Sequence, residues 1–363
     1  MKISADYCLL KDYEQSKTCP ERNRMDRKSK TGNRFSVLFT CIGRRVSLLE
    51  NFRRTAKQLK INVSFLGTDT TELTPALQLC DRRYRVKPTT HTGYIKQLLS
   101  IVKANRVKLL IPTVDLDLKR LAQNKSKFAT LGCRVLVSNP QVIDICQDKR
   151  KTHKFLLKNN FDTPITISLQ TALKNSQSSI VNRQSKIRFP LFVKPWDGYA
   201  GRGNAVVNNR KELLFYSKRI PNPICQELVE GTEYTCDVYV DFGMKVRCVV
   251  PRKRIEVRAG EVSKGQVIKN TRIMNEAAML VEKLEAGPGI ITLQLFLTSD
   301  GKVRFIEINP RFGGGAPLSI KAGADFPKWI LQELTGKKPN IRPDGFKDNL
   351  IMLRYDGEVW LET

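Results

Sequence analysis

The stretch Phe305–Gly315, FIEINPRFGGG, ends an apolar strand with a carboxylate, an amide and a guanidinium at alternate positions (Glu307, Asn309, Arg311) and then runs into three consecutive glycines. Two readings compete: a strand with a solvated face leading into a loop, or a site for a metal ion and a phosphate. The residues upstream bear on the choice. Asp300-Gly301 is the strongest two-residue hairpin signal. With those two residues as the loop, Ser299 faces Lys302 and Gln294 falls opposite Glu307. Side chains alternate along a strand, so Asn309 shares the face of Glu307. That face carries the oxygen donors Gln294, Glu307 and Asn309, while Leu293, Leu295, Ile306 and Ile308 belong to a core. A hard cation such as Mg²⁺ suits such a face, because it takes few protein oxygens and completes its shell with phosphate and water.

A metal with so few protein ligands calls for a phosphate cradle elsewhere in the chain. Lys194 closes the strand LFVKP and precedes the loop DGYAGRGN. Gly198, Gly201 and Gly203 let backbone N–H groups approach phosphate oxygens, and an ammonium at the strand end neutralises them. Without nucleotide this ammonium is expected to face a solvated cleft. The lysine precedes the glycines and no GK[ST] follows, so this is not a Walker A loop. The HRD signature of protein kinases is absent.

Around these motifs the chain alternates in a regular way. From Phe35, FSVLFT, NVSFLGTD, KLLIPTVD and CRVLVS read as strands separated by helical patterns, which predicts a parallel α/β domain of Rossmann-like type up to about residue 140. Its first turn, CIGRR, has only Gly43 and lacks the dinucleotide fingerprint. Parallel sheets bind ligands at strand ends, so Arg44, Arg45, Asp69 and Asp115 are candidate substrate contacts, with loop and cap roles as the alternative. From Asn139 the pattern turns α+β. NPQVIDICQDKRKTHKFLLKNN reads as one helical region containing Lys149, and EYTCDVYVD and KVRCVVPRKRIEV read as antiparallel strands. Arg252, Arg254 and Arg258 either meet an anionic substrate or form an exposed charged strand. Residues 1–33 are polar and aperiodic and are expected to be a poorly ordered extension.

Bulk composition narrows the classes. A length of 363 residues suggests two or three packed units. No run approaches the roughly eighteen apolar residues of a membrane span, and the first 34 residues lack a signal-peptide core. Nine cysteines without a CxxC, with only two histidines, argue against zinc or a disulfide framework. A cytoplasmic location is expected. The net charge of +28 implies anionic company. Nucleic acid is a possible partner but not a favoured one, since no nucleic-acid motif accompanies the charge.

The order of the motifs is more specific than any one of them. Asp148-Lys149, VKPWDGYAGRG, QELVEGTEY and Q…EINPR follow one another in a sequence that resembles the ATP-grasp superfamily over about 140–335. The preceding domain, with GRR at its first turn, resembles the partner domain of the carbamoyl-phosphate-synthase-like and pyrrolysine-biosynthesis-ligase branch. The resemblance implies a Rossmann-like pre-ATP-grasp domain over 34–140 and an α+β ATP-grasp domain of two lobes over 141–336, with the lid lobe at about 186–228. A C-terminal segment, 337–363, either caps the sheet or contributes to a homodimer. It implies that Lys149 and Lys194 hold ATP phosphates under the Gly198–Gly203 lid, that the backbone of Glu227, Leu228 and Val229 meets adenine, and that Glu233 takes the ribose. Gln294, Glu307 and Asn309 would hold Mg²⁺ or Mn²⁺, and Arg311 would contact the acyl phosphate. The implied reaction is ATP-dependent activation of an anionic carboxylate substrate for attack by an amine. The alternatives are carbamoyl-phosphate-like phosphorylation without ligation, or a basic nucleic-acid-binding protein on the same scaffold.

Overall fold

Apolar runs bounded by turns build the first sheet. β1 (Phe35–Thr40) is buried along its whole length, and β2 (Val63–Asp69) pairs with it in parallel. The helix Val46–Gln58 lays Leu48, Leu49, Phe52 and Ala56 against them. β3 (Arg82–Arg85), β4 (Val107–Pro112) and β5 (Arg134–Val135) complete a five-stranded parallel sheet of order β3-β2-β1-β4-β5. The arginine-rich β3 carries no apolar signal in the sequence; it forms an edge, where charge keeps foreign strands away. The chain winds outward in both directions from β1, so the switch point between β1 and β4 opens at their C-terminal ends. The computed structural model describes residues 34–176, 188–198 and 201–362. The expected N-terminal extension, residues 177–187, residues 199–200 of the glycine loop and residue 363 lie outside these.

The helical region expected after Asn139 is two helices, Pro140–Gln147 and Lys149–Lys158. Asp148 leaves helical geometry (φ −116°, ψ 107°), and its carboxylate accepts from the N–H groups of Arg150 and Lys151. Such a cap satisfies donors that a helix start leaves unpaired. Lys149 therefore begins a helix instead of lying within one. A four-stranded antiparallel sheet follows, order β6-β9-β7-β8, from β6 (Thr166–Ser168), β7 (Leu191–Pro195), β8 (Ala205–Val207) and β9 (Pro223–Glu227).

The largest sheet is antiparallel. It contains β10 (Thr232–Val240), β11 (Val246–Arg258), β12 (Glu261–Val267), β13 (Gly289–Leu297), β14 (Val303–Asn309) and β15 (Ile351–Leu353), in the order β14-β13-β10-β11-β12-β15. One face packs Leu293, Leu295, Phe305 and Ile308 against Ile273, Ala277, Leu280 and Val281 of the helix Thr271–Leu284. The strand-like tail shortens to β15, which pairs with β12 at the sheet edge. Among the described residues, no helix is long and apolar enough to cross a membrane.

Candidate active site

The hairpin β13–β14 presents the oxygen donors, by a route different from the simple count. Thr298 N–H donates to the Lys302 carbonyl at 3.0 Å and Gly301 N–H to the Thr298 carbonyl at 2.9 Å. The loop is thus three residues, Ser299–Gly301, with Gly301 at φ +79°, and Thr298, not Ser299, faces Lys302. Next to the loop the pairs run Leu297↔Val303, Phe296↔Arg304 and Leu295↔Phe305, one step from expectation. A bulge in β14 then absorbs one residue and restores Gln294↔Glu307, Leu293↔Ile308 and Thr292↔Asn309. Bulges re-aim side chains in this way. Phe305 takes the core place expected of Ile306, and Ile306 turns to line the cleft.

That cleft has a volume of about 560 Å³ and brings most of the candidate residues together. Lys194, at the end of β7, is only 6% exposed, which corrects the expectation of a solvated ammonium. Burial lowers its pKa from 10.5 to about 8; Glu307 opposes that shift and Lys149 adds to it. The Lys149 ammonium lies 3.6 Å from Glu307 and donates to the Gly198 carbonyl at 2.5 Å. Its backbone N–H donates to the Trp196 carbonyl at 3.0 Å, and the Arg150 guanidinium sits 3.9 Å from the centre of the Trp196 ring. The start of this helix is thereby tied to the base of the glycine loop. Gly201 and Gly203 adopt φ of +69° and +74°, left-handed conformations that glycine enters without cost.

Leu228, Val229 and Glu233 line the far end. Glu227 N–H already donates to the Ile165 carbonyl. Its carboxylate accepts both terminal nitrogens of Arg304, at 2.8 and 2.7 Å, and the N–H of Ile165 at 3.1 Å. The Arg304 hydrogen bonds hold that carboxyl below its ordinary range. Glu233 lies 3.0 Å from Arg254; burial raises its pKa against the pull of that arginine. At the other end Arg311 reaches across to the first sheet's loops, donating through Nε (3.0 Å) and a terminal nitrogen (2.5 Å) to Oδ2 of Asp115. The same terminal nitrogen donates to Asn309 Oδ1 at 3.2 Å. Arg45 pairs with Glu261 at 3.0 Å, and Glu261 also holds Arg354 at 3.1 Å.

Three of the expected substrate contacts lie outside the cleft, and so does Gly203 of the glycine loop. Asp69 braces the first loop, accepting from Gly43 N–H at 2.9 Å and Thr70 N–H at 2.7 Å, so its cap role accounts for it. Arg44 is exposed. Arg258, also exposed, pairs with Asp356 of the tail at 2.5 Å. Arg252 is buried beneath the cleft, bonded through two nitrogens to Asp237 at 2.8 and 2.9 Å.

The glycine run exists for space. None of Gly313, Gly314 and Gly315 has positive φ. A Cβ would meet Thr292 at 2.9 Å, Arg45 at 2.7 Å and Arg252 at 2.2 Å, respectively. Glu261, which lines the cleft, and Arg304, which holds Glu227 there, were not announced by the sequence, since both act through partners remote in the chain.

Among the described residues no group of three His, Cys, Asp or Glu could hold a metal. The donors offered are two amides and one carboxylate: Gln294, Asn309 and Glu307. This hard-oxygen set fits a magnesium ion whose remaining ligands and charge balance come from phosphates, especially with two ammonium groups beside the one carboxylate.

Residues 37–136 match the PylC-like N-terminal domain and residues 146–315 the ATP-grasp domain. The chain thus carries an ATP-grasp domain behind a PylC-like N-terminal domain. It is similar to the carbamoyl phosphate synthase large chain of Thermoanaerobacter sp. (strain X514), 26% identical over 239 residues, or 60% of this chain and 21% of that one. The chain thus spans about a fifth of that relative's length. Among solved structures it resembles the biotin carboxylase domain of Hydrogenobacter thermophilus 2-oxoglutarate carboxylase, in complex with MgADP, ADP and bicarbonate. There the TM-score is 0.67 at 15% identity, covering 87% of this chain and 73% of that one. L-amino acid ligase from Bacillus licheniformis gives a TM-score of 0.62 at 19% identity, covering 83% and 74%. At these identities the two structures establish the fold.

Proposed function

We propose that this protein is an ATP-dependent ligase that activates a carboxylate as an acyl phosphate and joins it to an amine. The observation that carries the reading is the convergence of Lys149, Lys194, Glu307, Asn309 and Arg311, from three different parts of the chain, on one cleft. The names of the similar proteins, which include a ligase and a carboxylase with MgADP, support it.

In this reading Lys149 and Lys194 bind the phosphates of ATP beneath the glycine loop, and Leu228, Val229 and Glu233 receive the nucleoside. Gln294, Glu307 and Asn309 would hold Mg²⁺ or Mn²⁺, which when bound draws charge from the transferring phosphoryl group. A carboxylate oxygen of the substrate attacks the γ-phosphorus and ADP leaves. The amine then attacks the acyl carbon, the C–O bond to phosphate breaks, and an amide and inorganic phosphate result. Arg311, planar and permanently charged, steadies the developing negative charge. Positioning and charge neutralisation carry most of the catalysis, as in phosphoryl transfer generally.

The test is ADP release over a panel of amino acids, simple carboxylates and bicarbonate, each with and without an amine. Release that needs a carboxylate, an amine and Mg²⁺ together is expected. Release with bicarbonate alone would favour phosphorylation without ligation. Nucleic-acid binding that collapses as salt rises, beside no ADP release, would favour the basic scaffold reading.

A further inference from the structure

Beside Glu307, four carboxylates line the cleft: Asp115, Glu227, Glu233 and Glu261. Each is engaged by arginine, but they differ in what remains free. Glu227 meets Arg304 with both oxygens. Glu261 gives Oε1 to Arg45 and Oε2 to Arg354. Glu233 stands on β10 opposite Phe296, toward the hinge end. Asp115 alone pairs with the arginine at the acyl-transfer end, and it does so through one oxygen. Both Arg311 bonds fall on Oδ2, so Oδ1 has no hydrogen-bond partner among the described residues. The side chain is 23% accessible, open to the cleft.

Its place in the fold is not accidental. Asp115 lies three residues beyond β4, at the switch point between β1 and β4 where parallel sheets take ligands. Its backbone carbonyl accepts from the Gln147 side chain at 2.7 Å, which fixes the loop. The result is a carboxylate held beside Arg311 in the lining of the cleft.

We propose that Asp115 is a catalytic residue, with Oδ1 receiving the ammonium of the incoming amine and taking the proton it must lose. This rests on the ligase reading above. An amine is protonated in neutral water and cannot attack until one proton leaves. Asp115 Oδ1 accepts that proton and passes it to solvent. The nitrogen lone pair then forms the C–N bond, the C–O bond to phosphate breaks, and the departing phosphate takes the nitrogen's second proton. One net proton is released, and no oxidant or reductant is needed.

Hydroxylamine separates this role from simple support of Arg311. It is neutral near pH 7 and captures an acyl phosphate as a hydroxamate without a base. The assay uses the full chain with ATP, Mg²⁺ and the twenty protein amino acids, which carry both carboxylate and ammonium, with and without hydroxylamine. Asp115→Asn keeps an oxygen for Arg311 but loses the charge and the basicity. Peptide-bond formation is expected to fall about 100-fold or more relative to hydroxamate formation by the same variant, the usual scale of general-base catalysis. Asp115→Glu, which keeps the carboxylate, is expected to retain measurable peptide formation. An equal fall in both products for Asp115→Asn would overturn the assignment, because it would make the residue only a support for Arg311. Unchanged peptide formation would overturn it as well. A wild-type chain that makes neither product overturns the ligase reading, and this inference with it.

Discussion

Lys194→Met tests the phosphate site and the energetics of its burial together. The methionine keeps much of the apolar stem and deletes the ammonium, which sits in a 6%-exposed position at the end of β7. A pKa lowered from 10.5 to about 8, chiefly by burial, corresponds to roughly 3 kcal/mol by which the folded state disfavours the charged form. The sign follows from proton uptake. Below pH 8 the lysine is charged in both states, and the penalty on folding is fully present. Between pH 8 and 10.5 the unfolded chain binds more protons, so stability rises with pH as the penalty is relieved. At pH 7 the variant without nucleotide is therefore expected to be more stable than wild type, by up to about 3 kcal/mol, and the advantage should shrink toward pH 10. Nucleotide binding should move the other way and weaken by about 1.5–3 kcal/mol, the worth of a hydrogen bond to a charged group. Urea unfolding at pH 7 and 9.5, beside calorimetry with ATP and Mg²⁺, reads both effects. A variant less stable than wild type at pH 7, or one whose difference ignores pH, would refute the burial argument. Unchanged nucleotide affinity would sink the phosphate assignment.

Glu307→Gln removes the one carboxylate of the donor set. Steady-state ADP release at saturating Mg²⁺ should fall about 100-fold or more, with the thermal melt near that of wild type; normal turnover would exclude Glu307 as a metal ligand. Arg252→Met leaves Asp237 buried without its countercharge and should cost about 3–5 kcal/mol in urea unfolding. Arg252→Met with Asp237→Leu should recover much of that loss. Gly315→Ala places a Cβ 2.2 Å from the Arg252 guanidinium and should destabilise by about 1–3 kcal/mol. Gly357→Ala, with nothing within 4 Å, should stay within about 0.5 kcal/mol. Equal melts for the two glycine variants would show that the glycine run is not there for space.

Local chemistry and periodicity were legible from the chain alone. The alternation of Glu307, Asn309 and Arg311, the lysine before a glycine loop, and apolar runs spaced by helical patterns identify a parallel sheet followed by a nucleotide-type site. Each depends on neighbours a few residues away. β3 and β12 escaped notice because their residues carry little apolar alternation and are strands only by pairing with partners elsewhere. The opposition of Gln294 and Glu307 emerged correctly from a wrong loop, because the bulge at Ile306 cancels the extra residue at Ser299.

What tertiary structure decided is where the charges sit and which partners they meet. The sequence places Lys194 at a strand end, but only the packing around it buries its ammonium and lowers its pKa. Asp69 and Asp115 look alike as acids at strand ends. One is spent on the amides of Gly43 and Thr70, while the other meets Arg311 from 196 residues away and keeps an oxygen free. Periodicity records which face a residue occupies. Solvation and ion pairing depend on whatever the rest of the chain brings to that face, and this is fixed only when the sheets close around the cleft.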